Sequence, residues 1–74
     1  MLNIITSTII EYVEVEVDSL TRATNPVMDL HMNSYDLMCV IGEIESALGV
    51  RVDERDLRRL TTLGDLDDYL RSRL

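Results

Sequence analysis

The clearest pattern in the chain is an apolar stripe of helical period that follows Asn33. Its residues recur at spacings of three and four, which places them on one face of a helix: Leu37, Val40, Ile41, Ile44, Ala47 and Leu48. Asn33 favours the capping position before a helix, and Gly49 suits the left-handed conformation in which many helices end. The pattern therefore predicts a helix from Ser34 to Leu48 with this face turned inward.

The first segment carries two competing patterns. Apolar residues at helical spacing favour a helix: Leu2, Ile5, Ile9 and Val13. Residues 11–17 instead alternate polar and apolar side chains, which is typical of a half-buried strand. A single strand needs a partner to pair with, and the chain holds no second alternating run. We therefore predict a helix that begins at Leu2 and ends near Glu14.

Residues 15–33 show no sustained period, and turn-forming residues interrupt them at 18–19 and 24–26. A loop of this length inside a small domain is usually either functional or disordered. Four apolar side chains are available to hold it against a core: Leu20, Val27, Met28 and Leu30. We therefore predict that the loop is ordered and functional.

Two further helices are predicted near the C-terminus. Asp53, with Asp56 three positions later, predicts the capped start of a short helix over 54–60. Thr62 and Asp65 form a pair like the capping box, which opens the last helix. The inward residues of that helix are predicted to be Leu63, Leu66, Leu70 and Leu74.

Together these elements predict an all-α fold. It is a small bundle of three longer helices plus one short helix, with a long ordered loop between helices 1 and 2. The 74 residues suit a single domain, 1–74, with a modest core. Ile44 and Leu66 are predicted to be buried in that core, one on each of two facing helices.

Composition excludes several classes of protein. Cys39 is the only cysteine, so no disulfide can form within the chain, and His31 eight positions earlier gives no metal-ligand spacing. The N-terminus lacks the basic region of a signal peptide, and no apolar stretch approaches membrane-spanning length. We therefore expect a cytoplasmic protein, and a monomer. Cys39 is read as a surface thiol and His31 as a residue packed in the loop.

The charge of the chain is strongly acidic and unevenly distributed. The net charge is −7, and the only basic residues are seven arginines. Residues 1–50 hold eight acids against Arg22 alone, whereas residues 51–74 hold six residues of each sign. An acidic half disfavours nucleic acid and anionic membranes and attracts basic protein surfaces, although it also fits a solubilising surface. The C-terminal half contains a basic cluster interleaved with acids, for which we predict surface ion pairs: Arg51, Arg55, Arg58 and Arg59.

Ser34 is the candidate for covalent chemistry. As the first residue of the predicted helix, it lies beside unpaired backbone N–H groups at the positive end of the helix dipole. Both would stabilise a phosphate ester on its hydroxyl. The alternative is an ordinary serine in a first helical turn. The sequence holds no nucleophile–base pair, metal-ligand set or phosphate-binding loop, so we do not expect an enzyme.

From Val27 to Leu70 the chain resembles the acyl carrier protein family. Asp29-Leu30 precedes Ser34 by four residues, and the helix rich in Leu, Val and Ile follows it. The segment 48–53 resembles the exit from the second helix of that family. The segment 61–66, with Tyr69-Leu70 after it, resembles the last helix. The resemblance implies an all-α carrier protein that is not itself an enzyme.

The resemblance also implies a cofactor, a site and partners. A phosphopantetheinyl transferase would attach 4'-phosphopantetheine from coenzyme A to Ser34, and the thiol of the arm would carry acyl or aminoacyl groups as thioesters. Enzymes with basic docking patches would bind near this site, with no role for nucleic acid or membrane. The implied docking residues are Asn33, Tyr35, Asp36, Met38, Glu43 and Glu45. The acids among them also fit a solvated helix face, and Met38 also fits rim packing.

The sequence departs from the usual family pattern at four positions. The family usually has Asp-Ser-Leu where this chain has Asn33-Ser34-Tyr35, a glycine where His31 stands, and an acid where Cys39 stands.

The cargo that the resemblance implies is an intermediate of fatty-acid, polyketide or related biosynthesis. The alternative is an unmodified helical interaction module that kept the carrier fold.

Overall fold

The computed structural model describes residues 2–74 and confirms the all-α fold. The elements are α1 (Leu2–Ile9), a 3-10 turn (Val17–Ser19), α2 (Ser34–Leu48), α3 (Glu54–Leu57) and α4 (Leu63–Arg73). The helix α1 packs against both α2 and α4, and the long loop between α1 and α2 is ordered by contacts described below. Within residues 2–74, no helix is long and apolar enough to cross a membrane.

The core lies between the apolar faces of α1, α2 and α4. Its buried apolar residues are Ile5, Ile9, Leu20, Met32, Val40, Ile41, Ile44, Leu63, Leu66 and Leu70. The predicted burial of Ile44 and Leu66 is therefore confirmed. Two inward predictions are wrong. Ala47 is exposed on an open surface beside Tyr12, and Leu74 is 67% exposed because α4 ends one residue before it.

The helix α1 ends at Ile9, earlier than the predicted end near Glu14. After Ile9 the backbone hydrogen bonds tighten from four-residue to three-residue spacing, with Tyr12 N donating to Ile9 O at 2.9 Å. Hydroxyl side chains within α1 also bond back to its carbonyls, as Thr8 does to Ile4 O at 2.7 Å, and such bonds compete with a regular ladder. Val13 still packs against the core, so the predicted apolar face is correct beyond the helix itself.

The helix α3 is a single turn that ends at Leu57, not at Leu60. Asp53 caps it as predicted, because its Oδ1 accepts from Arg55 N at 2.8 Å. Asp56 takes no part in the cap and instead accepts from Tyr69 Oη of α4 at 2.8 Å. That hydrogen bond, with the nearby Arg59 and Arg73 charges, holds the pKa of Asp56 below its usual value. A polar cluster on α4 thus fixes the position of the short helix α3.

The long loop is held at the start of α4 by an ion pair and by its backbone. Arg22 bonds Asp67 at 2.7 Å, and the Asp67 residue is only 2% exposed. The Arg22 and Thr24 carbonyls accept from Gly64 N at 2.8 Å and Leu63 N at 2.9 Å. A buried carboxylate needs such partners because desolvation penalises an isolated charge. The prediction of an ordered loop is therefore correct, and polar contacts that were not predicted add to the apolar ones.

The apolar contacts of the loop differ in part from those predicted. Leu20 is buried and Leu30 is half-buried, whereas Val27 and Met28 are exposed at 49% and 72%. These two side chains lie on a turn closed by Asn25, whose Oδ1 accepts from both of their backbone N–H groups at 3.0 Å. The turn therefore leaves Met28 mostly exposed and Val27 about half exposed.

Candidate functional site

Ser34 is the first residue of α2, and its side chain is exposed. Asn33 before it has extended backbone angles (φ −83°, ψ 171°), and its Oδ1 accepts from Asp36 N at 2.8 Å. The predicted N-cap is confirmed. Among residues 2–74, no protein group forms a hydrogen bond with the Ser34 hydroxyl. The oxygen is free to react, beside backbone N–H groups at the positive end of a fifteen-residue helix.

The chain just before Ser34 is held in place by Met32. Its side chain is 4% exposed, and its backbone N–H donates to Pro26 O at 3.1 Å. The sequence analysis missed this residue, because a single methionine in a loop carries no periodic signal. With Met32 buried on one side and α2 on the other, the exposed Ser34 is attached to a fixed position in the fold.

His31 adopts a left-handed backbone conformation with φ of 57°. It is the only residue other than glycine with a positive φ in the described part of the chain. Its side chain is exposed, so the predicted packing of His31 in the loop is wrong. Glycine adopts this conformation without a steric penalty. The glycine that the family usually has at this position is therefore explained by the backbone.

An open groove of about 310 Å³ adjoins Ser34, between α2 and α3. Leu37, Met38 and Leu57 provide its apolar surface, while Glu54 and Arg58 provide its charges. Farther into the bundle, a small cavity of about 40 Å³ separates α2 from the segment that links α3 to α4. Its lining is mostly apolar: Pro26, Val27, Leu37, Ile41, Leu57, Leu60, Thr61, Thr62, Leu63 and Leu66.

The residues predicted for docking differ in how free their side chains are. Tyr35 is 75% exposed and Met38 is 46% exposed, whereas Asp36 is half-buried. Glu43 accepts a hydrogen bond from Tyr12 Oη, and this bond raises the pKa of Tyr12 to about 12.

Glu45 has a role in the fold that the sequence did not indicate. Its Oε2 accepts from Val52 N at 2.7 Å, so it holds the segment after α2 against the helix. Within α2, the exposed large apolar side chains are Tyr35 and Met38, both close to Ser34 in sequence.

The four arginines of the C-terminal basic cluster differ in whether they form ion pairs. Arg55 bonds Asp53 at 3.5 Å and Arg59 bonds Asp56 at 3.0 Å, so these two form the predicted surface ion pairs. Within residues 2–74, Arg51 and Arg58 form none. The predicted ion pairing is therefore wrong for them, and only Arg58 lines the groove beside Ser34.

Among residues 2–74, neither Cys39 nor an acidic cluster belongs to a group that could hold a metal ion. Cys39 is a free, half-buried thiol, so it is less exposed than the predicted surface thiol. The described residues contain no group of three or more histidine, cysteine, aspartate or glutamate side chains that could hold a metal ion.

Comparison with known proteins identifies relatives across nearly the whole chain. A family model described as "Phosphopantetheine attachment site" matches residues 3–70. The acyl carrier protein of Thermotoga maritima is 34% identical over 92% of this chain and 84% of its own length. That of Lactobacillus acidophilus is 34% identical over 80% and 74%. A solved structure of acyl carrier protein from Enterococcus faecalis superposes with a TM-score of 0.86 at 26% identity, covering 99% of this chain and 92% of that one.

Proposed function

The chain belongs to the phosphopantetheine attachment family, with acyl carrier proteins among its relatives, and from this premise we propose that Ser34 carries the arm. Members of this family are non-catalytic carriers whose prosthetic group is 4'-phosphopantetheine. The observation that carries the proposal is the exposed Ser34 hydroxyl at the start of the capped helix α2. When bound, the arm supplies a terminal thiol that holds acyl groups as thioesters.

The residues around Ser34 fit this group. In the loading step, the serine oxygen attacks the phosphorus beside the pantetheine of coenzyme A. A P–O ester bond forms, the pyrophosphate bond breaks, adenosine 3',5'-bisphosphate leaves and the hydroxyl proton passes to the transferase or to solvent. The helix dipole and the free N–H groups of the first turn of α2 favour the phosphodiester charge that results.

The proposed cargo is an acyl intermediate of fatty-acid, polyketide or related biosynthesis. The acyl carrier proteins of Thermotoga maritima and Lactobacillus acidophilus support an acyl cargo over an aminoacyl one. The apolar side chains of the groove beside Ser34 are compatible with contact to a hydrocarbon chain, whereas the cavity of about 40 Å³ is too small to enclose one. A flexible tether raises the effective concentration of the cargo at each partner's active site, which is the advantage of a carrier over a free acyl thioester.

We assign docking of the transferase and of acyl-transferring enzymes to the exposed side of α2. The proposed contacts are Asn33, Tyr35, Asp36, Met38, Glu43 and Glu45. Because residues 1–50 hold the net charge of −7, basic patches on partners should be steered to this side. The double variant Asp36→Arg with Glu43→Arg should slow loading strongly at low salt, with a smaller gap at high salt. Equal loading rates at low salt would return these acids to a solvated helix face.

The test of the attachment site is loading with coenzyme A and a broad-specificity transferase. The wild-type chain should gain the mass of one phosphopantetheinyl group, and Ser34→Ala should gain none while circular dichroism shows an unchanged helical content. Asn33→Asp should load faster, because it restores the acid that the family usually has. An equal or slower rate would mean that Asn33 and Tyr35 suit a dedicated transferase. A folded wild-type chain that no transferase loads would favour the unmodified interaction module.

A further inference from the structure

Arg58 is the one arginine of the basic cluster that combines a guanidinium without an ion pair in residues 2–74 with a place beside Ser34. It is exposed at the end of α3, and within residues 2–74 it forms no ion pair. Arg55 and Arg59, its neighbours in sequence, are each paired with an aspartate. Arg58 lines the groove of about 310 Å³ that Ser34 also lines. The groove thus contains a reactive hydroxyl and a guanidinium that is free to bind an anion.

We propose that Arg58 binds the phosphodiester of the arm attached to Ser34 and so positions the base of the arm in this groove. This inference rests on the proposed function, since the phosphate reaches the groove only by loading. A guanidinium presents paired N–H donors that match phosphate oxygens, and such charge-assisted hydrogen bonds are stronger than neutral ones. Covalent attachment makes the contact intramolecular, so a single exposed arginine is sufficient at the high effective concentration of a tethered phosphate.

The other residues of the groove are consistent with this contact. Leu37, Met38 and Leu57 provide an apolar surface beside Ser34, against which the branched carbon next to the phosphate can pack. Glu54 lines the same groove four residues before Arg58, and its negative charge opposes the binding of a phosphate there. Glu54→Gln should therefore strengthen the contact between Arg58 and the phosphate.

Arg51 provides a matched control for Arg58. Both arginines are exposed, neither forms an ion pair within residues 2–74, and Arg51 lies outside the Ser34 groove. Arg58→Gln and Arg51→Gln therefore make the same change in charge at two places. Arg58→Lys adds a third variant, which keeps the charge but removes the paired donors.

The experiment compares unloaded and loaded proteins by NMR, after intact mass has established that each loaded sample carries one arm. In the wild-type chain, loading should shift the Nε–H signal of Arg58 more than that of any other of the seven arginines. Added salt should reduce that shift by screening. The phosphorus-31 signal of the phosphodiester should move in Arg58→Gln, move less in Arg58→Lys and stay at the wild-type position in Arg51→Gln.

The outcomes separate this inference from the function on which it rests. If the wild-type chain gains no mass, both the attachment at Ser34 and the contact are wrong. If it loads but the Arg58 signal does not move, only the contact is wrong. An equal phosphorus shift in Arg58→Gln and Arg51→Gln would also overturn the contact, because it would report overall charge rather than position. The wild-type spectrum decides the question even if a variant fails to fold.

Discussion

Both α2 and α4 begin with a side-chain N-cap, but they differ in how the first backbone N–H groups of the helix are bonded. At α4, Thr62 Oγ1 accepts from Asp65 N at 3.1 Å, and Asp65 Oδ2 accepts in return from Thr62 N at 3.2 Å. Carbonyl groups of the long loop bond the next two N–H groups of that helix. At α2, the Asn33 side chain accepts one N–H and leaves Ser34 exposed.

The difference shows how one small fold provides both a joint, where the long loop is bonded to the start of α4, and an exposed helix start at α2. The start of α4 satisfies its N–H groups within the protein, because Leu63 and Gly64 are buried against the long loop and buried N–H groups need partners. The start of α2 leaves most of its N–H groups to solvent, which costs little at an exposed helix end. It is the only one of the two that has room for an added phosphate beside its first residue.

The largest expected effect concerns the hydrophobic core, to which both α2 and α4 contribute. Ile44 is fully buried in the middle of α2, so Ile44→Ala should lower the free energy of unfolding by about 2–5 kcal/mol. That is a large part of the stability of so small a domain. Urea denaturation measures the loss, with the exposed Ser46→Ala on the same helix as control. A loss below about 0.5 kcal/mol would mean that the face of α2 has been assigned wrongly.

The joint at α4 should be far more sensitive to an added methyl group than the middle of α2. A Cβ on Gly64 would lie 2.9 Å from Arg22 O, so Gly64→Ala should destabilise the fold by about 1–3 kcal/mol. A Cβ on Gly42 would meet nothing within 4 Å, and Gly42→Ala should stabilise the protein by up to about 1 kcal/mol. Thermal melting of the two variants gives the comparison. Effects of the same sign would contradict the close approach of the loop at Gly64.

Acid should weaken the joint at α4. Hydrogen bonds from Thr61 and Thr62 hold the pKa of Asp65 below its usual value. A carboxyl with a lowered pKa in the folded state stabilises the protein above its unfolded pKa of about 3.9. This contribution is lost as the pH falls through the folded pKa. Denaturation midpoints of Asp65→Asn should therefore depend less on pH in the acid range than those of wild type. The exposed Asp18→Asn is the control, and equal pH dependence in all three proteins would contradict this role.

The smallest expected effect concerns the backbone just before α2. The left-handed conformation of His31 is strained for a residue with a Cβ, so His31→Gly should stabilise the fold, by less than about 1 kcal/mol. His31→Ala keeps the Cβ and should give no gain. Melting temperatures of the two variants measure the difference. An equal change in both would mean that the imidazole, rather than the backbone, determines the effect.

The sequence predicted the helices better than it predicted what connects them. The bounds of α2 follow from the Asn33 cap, the apolar period and Gly49, all of which act locally. The predicted ends of α1 and α3 lie beyond the observed ones. Each helix passes into turns with three-residue hydrogen-bond spacing, while the apolar residues continue at helical spacing. The ion pair between Arg22 and Asp67 joins residues 45 positions apart, and no local pattern contains it.

The candidate site also has one part that the sequence indicated and another part that only the folded chain brings together. Ser34 could be chosen as the candidate because its signals lie within a few residues of it and match a family pattern. The groove beside it could not be found, because α2 and α3 meet there only in the folded chain. Arg58 was predicted to form an ion pair because acids are interleaved with the arginines in this part of the sequence. Its exposure and its place beside Ser34 depend on where α3 ends.

The most direct test determines which residue of the chain carries the phosphopantetheine arm. The protein is loaded with coenzyme A and a transferase, digested, and its peptides are sequenced by mass spectrometry. We predict one phosphopantetheinyl group, on Ser34, and none on the hydroxyls at the start of α4, Thr61 and Thr62. An arm found on any other residue, or a peptide with Ser34 that stays unmodified while the intact protein gains the mass, would contradict the account.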